Sequence, residues 1–224
     1  MGSRREFLQH AMVTALIAST APPARWRTPA FGAALAPLSP DEAIQELLAG
    51  NQRFAANQLT SIEHDLSVLK QHTVDKQTPF AAVLACADSR VPVELIFDQT
   101  IGHIFVTRIA GNFATAEIIA SLEYGVAVLG VRALLVLGHT GCGAVKAAMK
   151  SDDAPGQISS LYAHIRPAVE RSNGNLDEAI NGNARLQADL LRTSSTVIRS
   201  ATDNARLKVI AGTYDLATGR VNLF

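Results

Sequence analysis

Three short apolar runs constrain this chain more than any other feature. Residues 79–86 (PFAAVLAC), Ile104–Arg108 (IFVTR) and residues 133–137 (ALLVL) are too short for ordinary helices and carry few polar interruptions. Strands of that kind are buried on both faces, which is the condition of a parallel sheet covered by helices. The intervening segments read as helices. Residues 115–129 set Ile118, Ile119, Leu122, Val126 and Leu129 on one side. Residues 38–57 open with Ser39 as N-cap, Pro40 in the first turn and acids at Asp41 and Glu42, a helix-start pattern. Lys208–Tyr214 reads as a fourth strand, after a mostly helical half broken at Pro155-Gly156 and Asn173-Gly174. Within that half, residues 177–206 read as a solvated face with an apolar stripe of Ile180, Leu186, Leu190, Leu191, Val197 and Ile198. The expectation is an α/β fold: a mostly parallel β-sheet flanked by α-helices, in a single domain spanning residues 37–224.

In such sheets, ligands bind beyond the carboxyl ends of the strands. That rule selects Cys86-Ala87-Asp88-Ser89-Arg90, after the first strand, and Gly138-His139-Thr140-Gly141-Cys142-Gly143, after the third. Both cysteines of the chain lie there. Cys86, His139 and Cys142 offer two thiolates and one imidazole, and the two-residue gap between His139 and Cys142 is usual for zinc ligands sharing a loop. Three protein ligands leave a fourth position for water or substrate, as in catalytic rather than structural zinc sites. Two other readings stay open on spacing alone. The cysteines could be small buried apolar residues, or a Cys86–Cys142 disulfide in a non-catalytic binding module.

Composition narrows the classes further. A chain of 224 residues with zero formal net charge and no Lys/Arg-rich run gives no electrostatic case for nucleic acid. No apolar stretch approaches the ~20 residues of a membrane helix, so no stable membrane span is expected. Residues 1–36 differ from the rest: four arginines and a single acid give a formal +3. Ser3-Arg4-Arg5-Glu6-Phe7-Leu8-Gln9 followed by the apolar residues 11–21 resembles a twin-arginine export signal, and Ala34-Leu35-Ala36 has the form of a cleavage site. The expected location is periplasmic or otherwise exported. That route carries folded proteins, so zinc loaded beforehand would protect the thiolates.

Cys86-x-Asp88-Ser89-Arg90 followed by His139-x-x-Cys142 resembles the signature of the β-class carbonic anhydrases, in their plant-like, open-site branch. The likeness extends over Gly50-Asn51-Gln52-Arg53-Phe54, Ser89-Arg90-Val91-Pro92, Arg108-x-Ala110-Gly111-Asn112, Ser121-Leu122-Glu123-Tyr124 and Tyr214-Asp215-Leu216-x-Thr218-Gly219. It implies one zinc per chain and reversible hydration of carbon dioxide to bicarbonate and a proton by zinc-bound hydroxide. It implies that Arg90 pairs with Asp88 and keeps it off the metal, so that Asp88 orients the nucleophile. In a closed state, Asp88 would itself become a metal ligand. It implies a substrate pocket from Gln77, Phe105 and Tyr124, while the Gly143 N–H at a helix start could face a substrate oxygen. It also implies a homodimer or higher even-numbered homo-oligomer, each pocket built partly from the other subunit. Carbon disulfide or carbonyl sulfide hydrolysis on the same zinc site is the alternative activity. Because two thiolates cancel the charge of the ion, the expected pH–rate profile is alkaline. Arg108 and Asn112 are expected to order the strand end, and His64, His72, His103 and His164 to be solvated side chains.

Overall fold

The computed structural model describes residues 38–61, 70, 73–151 and 154–224. The leader, His64 and His72 lie outside the described residues. The chain runs α1 (Pro40–Ala55), β1 (Ala81–Ala85), α2 (Val93–Ile96), β2 (Ile104–Arg108), α3 (Ala116–Ala127), β3 (Ala133–His139), α4 (Gly143–Lys150), a 3₁₀ turn (Ile158–Leu161), α5 (Tyr162–Arg171), α6 (Leu176–Ser194), α7 (Thr196–Asp203), β4 (Lys208–Tyr214) and β5 (Val221–Leu223). The sheet order is β2-β1-β3-β4-β5. Its first four strands are parallel and β5 is an antiparallel edge.

The apolar runs sit where their composition requires. Every residue of β1 and β3 is buried, and alternate side chains serve opposite layers. Ala82, Leu84, Leu134 and Val136 pack with Leu122 and Val126 of α3, Leu191 of α6 and Ile198 of α7. Val83, Ala85, Leu135 and Leu137 pack with Leu47 of α1, Val93 and Ile96 of α2, and Phe97. The helix starts are capped as their residues imply. Ser39 and Glu42 form a reciprocal capping box on α1, and the Thr115 hydroxyl caps α3.

Where the sequence expectation and the fold differ, the cause is local. β5 has three residues and α2 has four, too few for any periodicity to register. Residues 177–206 divide into α6 and α7 at Ser195, whose side chain caps α7. The expected stripe holds for Ile180, Leu191 and Ile198, but Leu190 is 37% exposed. The buried face of α6 instead recruits Ala179, Asn183, Ala184, Gln187 and Ala188.

Residues 50–53 act as a clasp. A Cβ on Gly50 would lie 1.8 Å from the Phe97 carbonyl oxygen, so only glycine allows α1 to pass there. Asn51 donates to the Ile96 and Gly219 carbonyls and accepts from the Val221 N–H at 2.8 Å, joining α1, α2 and β5. The Arg53 guanidinium pairs with Asp98, whose carboxylate also accepts from the Thr60 N–H, the Thr60 hydroxyl and the Ser61 N–H.

Candidate metal centre

β1 and β3 are neighbours in parallel register, with Ala85 opposite Leu137, so their carboxyl ends deliver Cys86 and His139 side by side. Cys142 follows as the N-cap of α4. The three ligand atoms lie within 4.8 Å of one another and all three residues are buried. The sulfurs of Cys86 and Cys142 are 4.0 Å apart and both cysteines are free, a separation about twice that of a disulfide bond.

Each ligand is oriented by groups behind it. His139 Nδ1 lies 3.1 Å from the Thr140 carbonyl. With the proton there, Nε2 carries the lone pair, and that buried atom has no hydrogen-bond partner among the described residues. Thr140 is itself fixed, its N–H donating to the Tyr214 carbonyl and its hydroxyl accepting from the Leu216 N–H. The Gly111 N–H donates to Cys86 Sγ at 3.3 Å. The contact with Cys142, helped by the Gly111 N–H, pulls the Cys86 thiol far below its ordinary range against the effect of burial. Cys86 and burial together push Cys142 up. Two soft sulfurs and an unsatisfied imidazole nitrogen in one buried cluster are the donor set that a borderline-soft divalent ion such as zinc prefers.

Beside this cluster stands Asp88. A turn closed by the Val91 N–H on the Asp88 carbonyl at 3.1 Å brings Arg90 back against it. Arg90 Nε and its own backbone N–H donate to Asp88 Oδ1, each at 2.9 Å, and a terminal guanidinium nitrogen donates to Oδ2 at 2.8 Å. That guanidinium, with the backbone N–H of Arg90, holds the carboxyl well below the usual range. Asp88 Oδ2 is 3.8 Å from His139 Nε2, so the carboxylate borders the cluster while committed to Arg90. Arg108 Nε donates to the Cys86 carbonyl at 3.0 Å and its guanidinium to the Asp88 carbonyl, bracing the loop from β2. Asn112 is buried beside the strand end, and its N–H donates to Ile109.

The remaining predicted residues are placed differently. Gly143 opens α4, is exposed, and has no atom within 4 Å of a would-be Cβ. Phe105 and Tyr124 touch, with ring centroids 6.2 Å apart, and Tyr124 is 48% exposed. Yet Phe105 pairs in register with Ala82, four residues from Cys86, or roughly 13 Å along a strand. Gln77 is exposed and precedes β1, at the opposite end of that strand from Cys86. One chain therefore does not bring these three onto its own cluster. His103 faces Gln99, and His164 stacks on Phe113 with centroids 4.4 Å apart. Asn183 and Gln187, absent from the sequence reading, hold the loop that contacts Cys86. They share a helical face with Ile180, Ala184 and Leu191, and that spacing was the signal for their burial.

Comparison with known proteins agrees with this geometry. The carbonic anhydrase family model matches residues 81–221. Carbonic anhydrase 2 of Mycobacterium tuberculosis is 33% identical over 197 residues, covering 83% of this chain and 93% of that protein. The carbonic anhydrase of Mycolicibacterium smegmatis is 34% identical over 196 residues, with the same coverage. Among solved structures, the Coccomyxa β-carbonic anhydrase bound to acetazolamide superposes with a TM-score of 0.64 at 25% identity, over 81% of this chain and 86% of that one. A tetrameric β-carbonic anhydrase from Sordaria macrospora, 21% identical, shares the fold with a TM-score of 0.65 over 82% of this chain and 97% of its own. A match running from β1 to β5, centred on strands that end in the Cys–His–Cys cluster, leaves one assignment: the chain belongs to the β-carbonic anhydrase family.

Proposed function

We propose that this chain binds one zinc ion through Cys86, His139 and Cys142 and catalyses the reversible hydration of carbon dioxide to bicarbonate and a proton. The observation that carries the reading is the division of labour at the cluster. His139 Nε2 is buried without a hydrogen-bond partner among the described residues, whereas both oxygens of Asp88 are taken by Arg90. Zinc bound there would lower the pKa of a water at its open position and so supply a nucleophile at neutral pH. Asp88, held by Arg90, accepts a hydrogen bond from the attacking water and aims its lone pair at the substrate carbon. Arg90 prevents Asp88 from turning onto the cluster as a further ligand, and Arg108 keeps the loop from following it. The Gly143 N–H, at the exposed start of α4, faces a substrate oxygen.

Gln77, Phe105 and Tyr124 complete the pocket of a neighbouring subunit in a homodimer or larger even-numbered assembly. The exposure of Gln77 and Tyr124 in one chain supports this, as does the distance of Gln77 and Phe105 along their strands from its own Cys86. Export by twin-arginine translocation to the periplasm, read from the leader, belongs to the same proposal. A Arg4→Lys, Arg5→Lys double variant that reaches the periplasm as wild type does would refute it.

The enzymatic reading is tested by zinc content and stopped-flow hydration of carbon dioxide on wild type and Asp88→Ala. One zinc per chain and a large loss in the variant are expected. Zinc without hydration would redirect the search to carbonyl sulfide and carbon disulfide. Absence of zinc would refute the proposal.

A further inference from the structure

A buried polar chain reaches Cys86 through Gly111. Asn183 and Gln187 are both buried, although they stand on the face of α6 that packs against the sheet. Asn183 Nδ2 donates to the Gly111 carbonyl at 2.8 Å. Gln187 Oε1 accepts from the Ala114 N–H at 3.0 Å, and its amide nitrogen reaches Asn183 Oδ1 and the His164 carbonyl, each at 3.3 Å. Residues 111–114 are thus pinned at two points by one helix. Gly111 has φ +88°, a conformation suited to glycine, and a Cβ there would lie 2.6 Å from Ile165 Cδ1. The peptide on one side of Gly111 is fixed by Asn183. The N–H on its other side donates to Cys86 Sγ at 3.3 Å.

Two buried amides are costly unless each bond they make matters to the fold or to the site. Packing alone would be served by leucine at either position. What an amide at position 183 adds is a fixed Gly111 carbonyl, and through it a fixed donor on a ligand sulfur. An N–H donor draws electron density from a thiolate and offsets part of the charge that two sulfurs place on a bound ion.

We propose that Asn183, supported by Gln187, is a positioning residue for the metal centre, holding Gly111 so that its N–H stays on the Cys86 sulfur. The inference rests on the metal centre proposed above. The test compares wild type, Asn183→Ala and Leu191→Ala, a buried change on the same helix outside the polar chain. Zinc retention is measured by chelator competition, and the thiolate-to-metal charge-transfer band is recorded after cobalt(II) substitution. Expected are a 10- to 100-fold loss of zinc retention, on the order seen when partners of metal ligands are removed, and a shift of the band to longer wavelength. Leu191→Ala should lose stability with the band unmoved. Equal retention and an unmoved band in Asn183→Ala would overturn the proposal. Wild type that binds no metal would overturn the metal centre as well, which separates the two failures. A further measurement needs no variant: in cadmium-113-loaded wild type, the Gly111 amide proton should show scalar coupling to the metal across the sulfur, and its absence would also overturn the proposal.

Discussion

Two aspartates ten residues apart, Asp88 and Asp98, are each paired with an arginine, and the pairs are built on opposite plans. Asp88 takes its partner from two positions away, inside one turn, and Arg90 is 58% exposed. Asp98 has a fully buried side chain, and its partner Arg53 comes from α1, 45 residues earlier. Both carboxyls are held far below their usual range. For Asp88 the chief cause is the Arg90 guanidinium itself. For Asp98 burial acts most strongly and in the opposite direction, and it is overcome by Arg53, the Ser61 N–H and the Thr60 hydroxyl together. A pair made within a loop can be lost without loosening the layers of the sheet. A pair that joins α1, residues 60–61 and the end of α2 cannot. The first arrangement suits a group that must act on something else, the second a group that must be neutralised where it lies.

The largest effect that separates the two is catalytic. Asp88→Ala should reduce carbon dioxide hydration by at least ~100-fold, the range expected when a positioned group at the reacting centre is removed. Its thermal midpoint should stay within about 4 °C of wild type, because a pair whose arginine is exposed contributes about 0–1 kcal/mol. A midpoint lower by about 10 °C in calorimetry would show that Asp88 is also a structural clasp and erase the contrast.

Asp98→Ala should show the reverse. It removes the acceptor for two backbone N–H groups and the partner of a half-buried arginine. The expected cost is about 2–4 kcal/mol, below the full range for a buried pair because Arg53 keeps some solvent. Urea unfolding measures this, and hydration per zinc-loaded, folded chain should remain near wild type. Loss of activity without loss of stability would place Asp98 in the site.

The same contrast explains what could be read in advance. β1 and β3 were legible because strands buried on both faces must be apolar at every position. Cys86, His139 and Cys142 were legible because a parallel sheet exposes its strand ends on one side, and ligating residue types cluster there. Asp88 and Arg90 were legible because they pair within the loop. Asp98 gave no signal, since its partners come from residues 53, 60 and 61 and only the folded chain brings them together. Asn183 and Gln187 were hidden by polarity: an amide in a charged helix reads as solvated until a carbonyl and an N–H are found facing it. Gln77, Phe105 and Tyr124 were named as a set, but in one chain Gln77 and Phe105 lie towards the amino ends of β1 and β2, with Tyr124 against Phe105, whereas the cluster stands at the carboxyl ends of β1 and β3.

A smaller effect follows from protonation at the structural pair. A carboxyl whose native pKa lies below its unfolded value of about 3.9 stabilises the fold at every pH above that value, and the contribution drains away as pH falls towards the native pKa. The unfolded chain takes up the proton first, so acid favours unfolding. Wild type should therefore lose stability more steeply below about pH 4 than Asp98→Asn, which carries no titrating carboxyl there. Parallel curves from pH 5 to 2.5, followed by circular dichroism in urea, would show that Asp98 contributes nothing to the acid limb.

The smallest difference concerns the network that holds Asp98. Thr60→Val keeps the N–H that donates to Asp98 Oδ1 and removes only the hydroxyl that donates to Oδ2 at 2.8 Å. Arg53 still reaches that oxygen, so the carboxylate keeps a charged donor, and the loss should be about 1 kcal/mol, the usual worth of one hydrogen bond. In Asp98→Ala the same substitution should cost almost nothing, because the hydroxyl no longer has its acceptor. A double-mutant cycle in urea therefore measures the coupling directly. A Thr60→Val cost that is unchanged in the Asp98→Ala background would mean that the hydroxyl stabilises the chain by packing, and that Arg53 with the two N–H groups suffices to keep Asp98 ionised.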